Sequence, residues 1–404
     1  MPATALRCRI CRTEFPLDPV GVCAKCFGPL EPVYERDRVV TREQIEAGPP
    51  NIWRYAPLLP VAPPAEQRLA PGNTPLVAAA RLASAVGVGE LFLKLDTANP
   101  THSFKDRVVA VACAKALEHG YTTLACSSTG NLANAVAARA AAEGMEAAVL
   151  CPADLEPEKL LATAVYGATI FAVNGSYDDC SRLTVELSFE VDWAFVNVEL
   201  RAYYAEGSKT LAFEIAEQLG WELPDAVVAP IASGAMYSKV HRGFGELLEL
   251  GLVAGERPRV FGGQAEGCAP VAAAFHDGGA RVKPVRPNTI ARSIAIGSPA
   301  DGDLAVATAI DSGGSIHSVP EDEIAENIKL LAETTGVFGE TAPATALGAL
   351  REAVRRGELG DDDRVVLLVT GDGLKTPALV ADRLEPVQVE PDADLILERL
   401  GVAV

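Results

Sequence analysis

Asn99-Pro-Thr-His-Ser-Phe-Lys-Asp-Arg107 stands between a short apolar run ending at Lys94 and an alanine- and valine-rich stretch with helical spacing over 105–118. An apolar run, a polar turn holding a proline and then a helix is the repeating unit of a parallel sheet. Thr101 and Ser103 are candidate caps for that helix, which places Lys105 in its first turn. There the positive end of the helix dipole disfavours the ammonium form and lowers the pKa. An amine that is free near neutral pH is what Schiff-base chemistry uses. A surface lysine paired with Asp106 is the simpler reading, and this stretch alone fits both.

Outward from this unit the alternation continues. Strands are expected at Leu91–Lys94, Thr122–Ser127, Glu146–Cys151, Thr169–Val173, Trp193–Val196, Ala226–Pro230, Val260–Ala265 and Arg364–Thr370. Helical patterns lie between them at Lys105–Glu118, Leu132–Glu143, Ser208–Leu219 and Ile324–Thr334. Strands of buried type alternating with helices predict an α/β fold of parallel sheets covered on both faces. At 404 residues the chain exceeds one ordinary core, so two packed domains plus a small module are expected.

Composition narrows the partners. A hydrophobic share of 49% with 22% charged residues is that of a globular protein. A net charge of −19 argues against nucleic acid or an anionic membrane as partner, while leaving room for a local basic pocket. No apolar run is long enough to span a bilayer, and no signal-peptide pattern precedes Cys8, so a cytoplasmic location is expected.

Four of the nine cysteines form Cys8-x2-Cys11 and Cys23-x2-Cys26. Two such knuckles place four sulfurs around one tetrahedral site, the arrangement of a zinc ribbon. Four thiolates leave no open coordination position, so a zinc held there is structural. Reduced thiols in a disordered tail are the alternative. Residues 48–75, rich in proline, suit an extended wrap or linker.

Three strand-to-helix junctions carry small and polar residues: Cys126-Ser-Ser-Thr-Gly-Asn-Leu-Ala-Asn134, Pro230-Ile-Ala-Ser-Gly-Ala-Met-Tyr237 and Val369-Thr-Gly-Asp-Gly-Leu-Lys375. Each offers backbone N–H groups for an anion at the carboxyl edge of a parallel sheet. None matches the dinucleotide pattern G-x-G-x-x-G with its downstream acid, and none is a P-loop, which disfavours a nucleotide enzyme.

Taken in order, the lysine segment and these loops resemble the pyridoxal-phosphate enzymes of the tryptophan-synthase-β kind, fold-type II. Residues 99–107, Glu206-Gly-Ser-Lys-Thr210, Glu340-Thr-Ala342 and Thr370-Gly-Asp-Gly-Leu-Lys375 are similar to those of the threonine synthase family. The resemblance spans roughly residues 70 to 380. It implies two parallel-sheet α/β domains behind the ribbon-like segment 1–35 and the wrap 36–80. The larger would be built from 81–118 and 201–385, the smaller from 119–200, with a tail at 386–404.

It also implies roles. Lys105 would hold pyridoxal 5′-phosphate through a Schiff base and shuttle protons. Asn131 would bond the 3′ oxygen, the amides of Ala232, Ser233, Gly234, Ala235 and Met236 the 5′-phosphate, and Thr370 the pyridine nitrogen, with Asp372 its rival. Ser128, Thr129 and Gly130 would bind the substrate carboxylate, and Lys209, Arg201 and Lys239 are candidates for its phosphate.

The implied reaction is γ-elimination of phosphate from O-phospho-L-homoserine with addition of water at Cβ, giving L-threonine, in a homodimer. The neighbouring readings are β-replacement on O-phosphoserine, as in cysteate synthase, and a serine or threonine ammonia-lyase. A non-catalytic scaffold whose ribbon binds a partner is the reading from another class. Two departures stand out: His102 occupies a place where the family more often has a small residue, and the loop at 232–236 is poorer in glycine and asparagine than the commoner form.

Overall fold

The computed structural model describes residues 3–35, 39–128, 130–155, 157–279, 281–383, 386–391 and 393–400. Its larger sheet runs in the order Ile316–Val319, Arg259–Ala265, Ala226–Pro230, Arg364–Val369, Glu90–Leu95 and Leu76–Ala78. All pairs are parallel except the last, where Leu76–Ala78 runs antiparallel to its neighbour. The central strands are buried on both faces, which is why Val366, Leu367 and Leu368 follow one another without polar alternation. Each such side chain contributes about 1.5–3 kcal/mol by leaving water. The helix Thr341–Arg355 covers one face, and the helices Lys209–Gln218 and Ala235–Glu249 pair over the other.

The smaller sheet has four parallel strands in the order Thr169–Val173, Glu146–Pro152, Thr123–Ser127 and Ala194–Phe195. Its covering helix Asn131–Glu143 is rich in alanine, and small side chains let it lie close on the strands. A third, antiparallel sheet of Glu14–Phe15, Ala3–Cys8 and Leu30–Tyr34 carries the cysteine knuckles. No helix among the described residues is long and apolar enough to cross a membrane.

Three sequence expectations change. The proline-rich stretch is not extended throughout: Ile52–Leu58 is a 3-10 helix that holds Pro57 and buries Ile52, Trp53, Tyr55 and Leu58, while on either side of the stretch Arg42–Glu46 is a helix with a Thr41–Gln44 capping box and Leu76–Ala78 completes the large sheet. The helix Lys105–Glu118 packs against Asn131–Glu143 and Arg201–Glu206, so a boundary at residue 118 cuts through a packed unit. The edge strand Ile316–Val319 was hidden by His317 and Ser318, which break its apolar pattern. His317 is buried there between Ser315 Oγ at 2.6 Å and Glu358 at 3.0 Å.

Candidate active site

Lys105 is the first residue of the helix Lys105–Glu118. The expected side-chain caps are absent, because the N-cap is Phe104, in helical conformation. Thr101 turns to Asp106, its hydroxyl 2.9 Å from Oδ1 and its amide 2.8 Å from Oδ2. The Ser103 hydroxyl is buried with no partner among the described residues. A clip to the Thr370 loop holds the turn instead: the Phe104 amide donates to Thr370 O at 3.0 Å and the Asp372 amide to His102 O at 3.2 Å. His102 takes the left-handed backbone this needs, with φ of 59°, and its ring lies exposed against Thr97 O.

Asp106, pushed up to about 6 by burial, does not pair with Lys105. Lys105 Nζ donates to Tyr204 Oη at 2.9 Å and lies 4.7 Å from the centre of the Phe104 ring. Burial lowers its pKa from 10.5 to about 8, against an opposing pull from Cys126 and Glu340. Two residues along, fully buried Arg107 locks the helix to the sheet. It bonds Asp96 and Glu214, each at 2.7 Å, and Glu214 takes Lys94 at 2.7 Å as well.

One cavity gathers most of the expected site: Lys105, Ser128, Gly130, Asn131, the loop Ala232–Met236 and Thr370 all line it. Thr129 lies outside the described residues. Ser128 Oγ accepts from the amides of Gly130 at 3.1 Å and Ala133 at 3.0 Å, fixing the turn before the helix Asn131–Glu143. The loop at 232–236 leads into the helix Ala235–Glu249 through Gly234, whose φ is 92°. A Cβ there would stand 2.6 Å from Asp301 O, so the left-handed turn is reserved for glycine. First-turn amides of that helix have no intrahelical acceptor. Asp372 faces a neighbouring hollow, with its carboxylate capping the Leu374 amide at 2.8 Å.

Glu340, quoted above only as part of a motif, closes the cavity. It is buried, accepts from Asn131 Nδ2 at 2.6 Å and has its pKa raised, chiefly by burial. A Cβ at 371 would sit 2.0 Å from Glu340 Oε1, so a larger residue there would displace that carboxylate. Tyr177, Tyr204 and Ser293 also line the cavity and had no local signal in the sequence.

The three expected phosphate ligands are placed elsewhere. Lys209 is fully buried, 2.5 Å from Glu206 and 3.0 Å from Glu246. Lys239 lies 2.7 Å from Glu206. Arg201 pairs with Asp301, which also takes Arg9 at 2.7 Å. Each cation is neutralised by a carboxylate outside the cavity wall, which corrects the reading based on charge and position alone.

At the other end of the chain, the sulfurs of Cys8, Cys11, Cys23 and Cys26 lie within 4.8 Å of one another. Cys8 and Cys26 are 3.5 Å apart, as are Cys11 and Cys23. Tetrahedral zinc with bonds of about 2.3 Å asks for sulfurs about 3.8 Å apart, so the cluster has the size of such a site.

The cavity suits pyridoxal phosphate on three counts. Its amine is lowered toward neutrality, a glycine-dependent loop opens a helix N-terminus into it, and Ser293 Oγ is buried on its wall without a partner among the described residues. The family model of pyridoxal-phosphate dependent enzymes matches residues 67–371. The chain belongs to that family.

Curated threonine synthases are similar along almost the whole chain. That of Methanosarcina acetivorans is 36% identical over 402 residues, 98% of both chains. That of Methanocaldococcus jannaschii is 34% identical over 397 residues, 96% of this chain and 98% of its own. Among solved structures, diaminopropionate ammonia lyase from Escherichia coli matches with a TM-score of 0.68 at 20% identity, covering 84% of this chain and 91% of the other. Maize serine racemase matches at 0.62 and 22% identity, covering 76% and 91%. These structures share the fold-type II architecture with this chain.

Proposed function

We propose that this protein is a threonine synthase, converting O-phospho-L-homoserine and water to L-threonine and phosphate. The near full-length likeness to curated threonine synthases carries the reading. The cofactor would be held by Lys105 Nζ, the Asn131 side chain, the amides of Ala232, Ser233, Gly234, Ala235 and Met236, and the Thr370 hydroxyl. When bound, pyridoxal phosphate supplies an electron sink for the pairs left as protons leave the substrate.

Lys105 Nζ is the proton carrier. With the cofactor in place, Nζ would move protons one at a time at Cα, Cβ and Cγ of the substrate, giving each up before taking the next. Overall the Cγ–O bond breaks with its electron pair on the departing phosphate, the hydroxyl of water is added at Cβ and its other proton goes to the phosphate, while Cα regains a proton and the proton lost from Cβ is replaced by one at Cγ. Tyr204 Oη, 2.9 Å from Nζ, orients the amine. Burial raises the Tyr204 pKa far above its ordinary value, so it does so as a neutral phenol. Ser128, Thr129 and Gly130 would bind the substrate carboxylate, with the amides at the start of the helix Asn131–Glu143 favouring its charge.

The four-cysteine cluster would hold one structural zinc, tying the antiparallel module to the body. Its size supports this, and nine free cysteines fit a reducing cytoplasm. A homodimer is the assembly that accompanies the family resemblance.

The deciding experiment is turnover on phosphohomoserine, with phosphate and threonine both measured and with O-phosphoserine and threonine as parallel substrates. Equal molar release of phosphate and threonine is expected. Phosphate release from O-phosphoserine alone, or keto acid from threonine, would replace the reading by one of its neighbours.

A further inference from the structure

The antiparallel module that carries the four cysteines reaches the wall of the Lys105 cavity. A narrow hollow is bounded by Arg9, Pro29 and Leu30 of the module together with Ala235, Asp301 and Leu304 of the body. Ala235 lines both this hollow and the cavity, so one residue of the loop Ala232–Met236 separates the two. Arg9 itself does not line the cavity.

Asp301 joins module and loop. Its amide donates to Ser233 O at 2.9 Å, and its carbonyl oxygen is the atom that a Cβ on Gly234 would meet at 2.6 Å. The backbone of Asp301 thus braces the left-handed turn at Gly234. Its buried carboxylate is held by Arg9 at 2.7 Å and by Arg201. Arg9 stands inside the knuckle Cys8-x2-Cys11, and its amide donates to Pro29 O at 3.0 Å. Glu31 of the module, 3.7 Å from Arg9, also takes Lys239 at 3.3 Å, one turn along the helix that begins at Ala235. The module therefore grips both flanks of the loop. Exposed ion pairs contribute little, but a charge-assisted hydrogen bond to a buried carboxylate is short and directional.

We infer that Arg9 is a positioning residue for the cofactor phosphate, and that the cysteine module serves the cavity as the brace of its phosphate loop. The inference rests on the reading of Ala232–Met236 as the loop that binds the 5′-phosphate. The knuckle fixes the guanidinium, the guanidinium holds the Asp301 carboxylate, and the Asp301 backbone holds Ser233 and Gly234 in the turn that presents their amides. Without Arg9 the turn relaxes, and the amides lose their common direction before the phosphate arrives. Preorganisation of this kind is read as ligand affinity.

The test titrates the full chain, stripped of cofactor, with pyridoxal phosphate and separately with pyridoxal, which lacks the phosphate. Dissociation constants are read from absorbance for the wild type, Arg9→Met, Arg9→Lys and Asp301→Asn. Arg7→Met is the control, since Arg7 pairs with Glu14 inside the module at 2.6 Å. Arg9→Met is expected to raise the constant for pyridoxal phosphate about fivefold or more and that for pyridoxal by less than about twofold. Arg9→Lys should recover part of the loss, and Arg7→Met should bind both ligands as the wild type does. The double variant Arg9→Met with Asp301→Asn should bind no worse than Asp301→Asn alone, because both act on one contact. Unchanged affinity in Arg9→Met, or an equal loss for both ligands, overturns the brace and leaves the function standing. Additive losses in the double variant overturn it too, by taking Asp301 off the route. Wild-type protein that holds pyridoxal phosphate no better than pyridoxal overturns the assignment of the loop itself. If Arg9→Met does not fold, Arg9→Lys and Asp301→Asn decide by the same comparison of the two ligands.

Discussion

Lys105 and Lys209 look alike in sequence and local structure. Each is the first residue of a helix, Lys105–Glu118 and Lys209–Gln218, and neither helix has a side-chain cap. The helix dipole acts on both in the same sense. Their difference lies in what distant segments bring to them. Lys209 receives Glu206 and Glu246, the backbone oxygen of Leu58 and the Tyr34 ring, so its charge is matched on every side. Lys105 receives a phenol and a phenyl ring, and no carboxylate among the described residues bonds it. Burial that outweighs the nearby charges, more than the start of a helix, makes an amine available. The dipole argument drawn from the sequence therefore named the lesser cause of the lowered pKa.

Replacing each lysine should separate the two roles. Lys105→Ala is expected to lower kcat by about 10³-fold or more, since the proposed cofactor anchor and proton carrier would both be lost. Its unfolding free energy in denaturant titration should change by less than about 1 kcal/mol, because no ion pair is broken. A folded variant that keeps its turnover would move the chemistry away from Lys105.

Lys209→Met is the mirror case. It removes the ammonium shared by buried Glu206 and Glu246, leaving Lys239 beside Glu206 and Arg242 beside Glu246. Removing one partner of a buried pair costs about 3–5 kcal/mol, so a fall of that size in stability is expected. The fraction that stays folded should still load cofactor. Wild-type stability joined to lost turnover would place Lys209 in the site after all.

The same contrast marks what the sequence made legible. The strand Thr169–Val173 and the helix Lys105–Glu118 have the bounds expected of them, because local periodicity and punctuation define them. The lining loops were legible too, since a strand end, a glycine and a helix start lie within a few residues of each other. What stayed hidden was made by approach over long separations. Tyr204 reaches Lys105 across 99 residues and Lys375 reaches Asn131 across 244. No local pattern encodes such meetings. The misread cations failed for the same reason: charge was visible at 201, 209 and 239, but their carboxylate partners were not.

The smallest effect is the most direct reading of the environment of Lys105. Its amine titrates at about 8, against 10.5 for an ordinary lysine. Only the neutral amine attacks the aldehyde of pyridoxal phosphate. Below pH 8 the neutral fraction should rise about tenfold per pH unit and then level off. Capture of added cofactor by the stripped protein, followed by absorbance in stopped flow, should therefore climb from pH 6 to about pH 8 and flatten above it. The sign is fixed by burial, which penalises the charged form. A dominant counter-charge would do the reverse and extend the climb toward the range of an ordinary lysine. A plateau near pH 8 thus reports that burial outweighs the pull of Cys126 and Glu340 on Lys105, and a profile still rising at pH 10 would show that a counter-charge governs the amine instead.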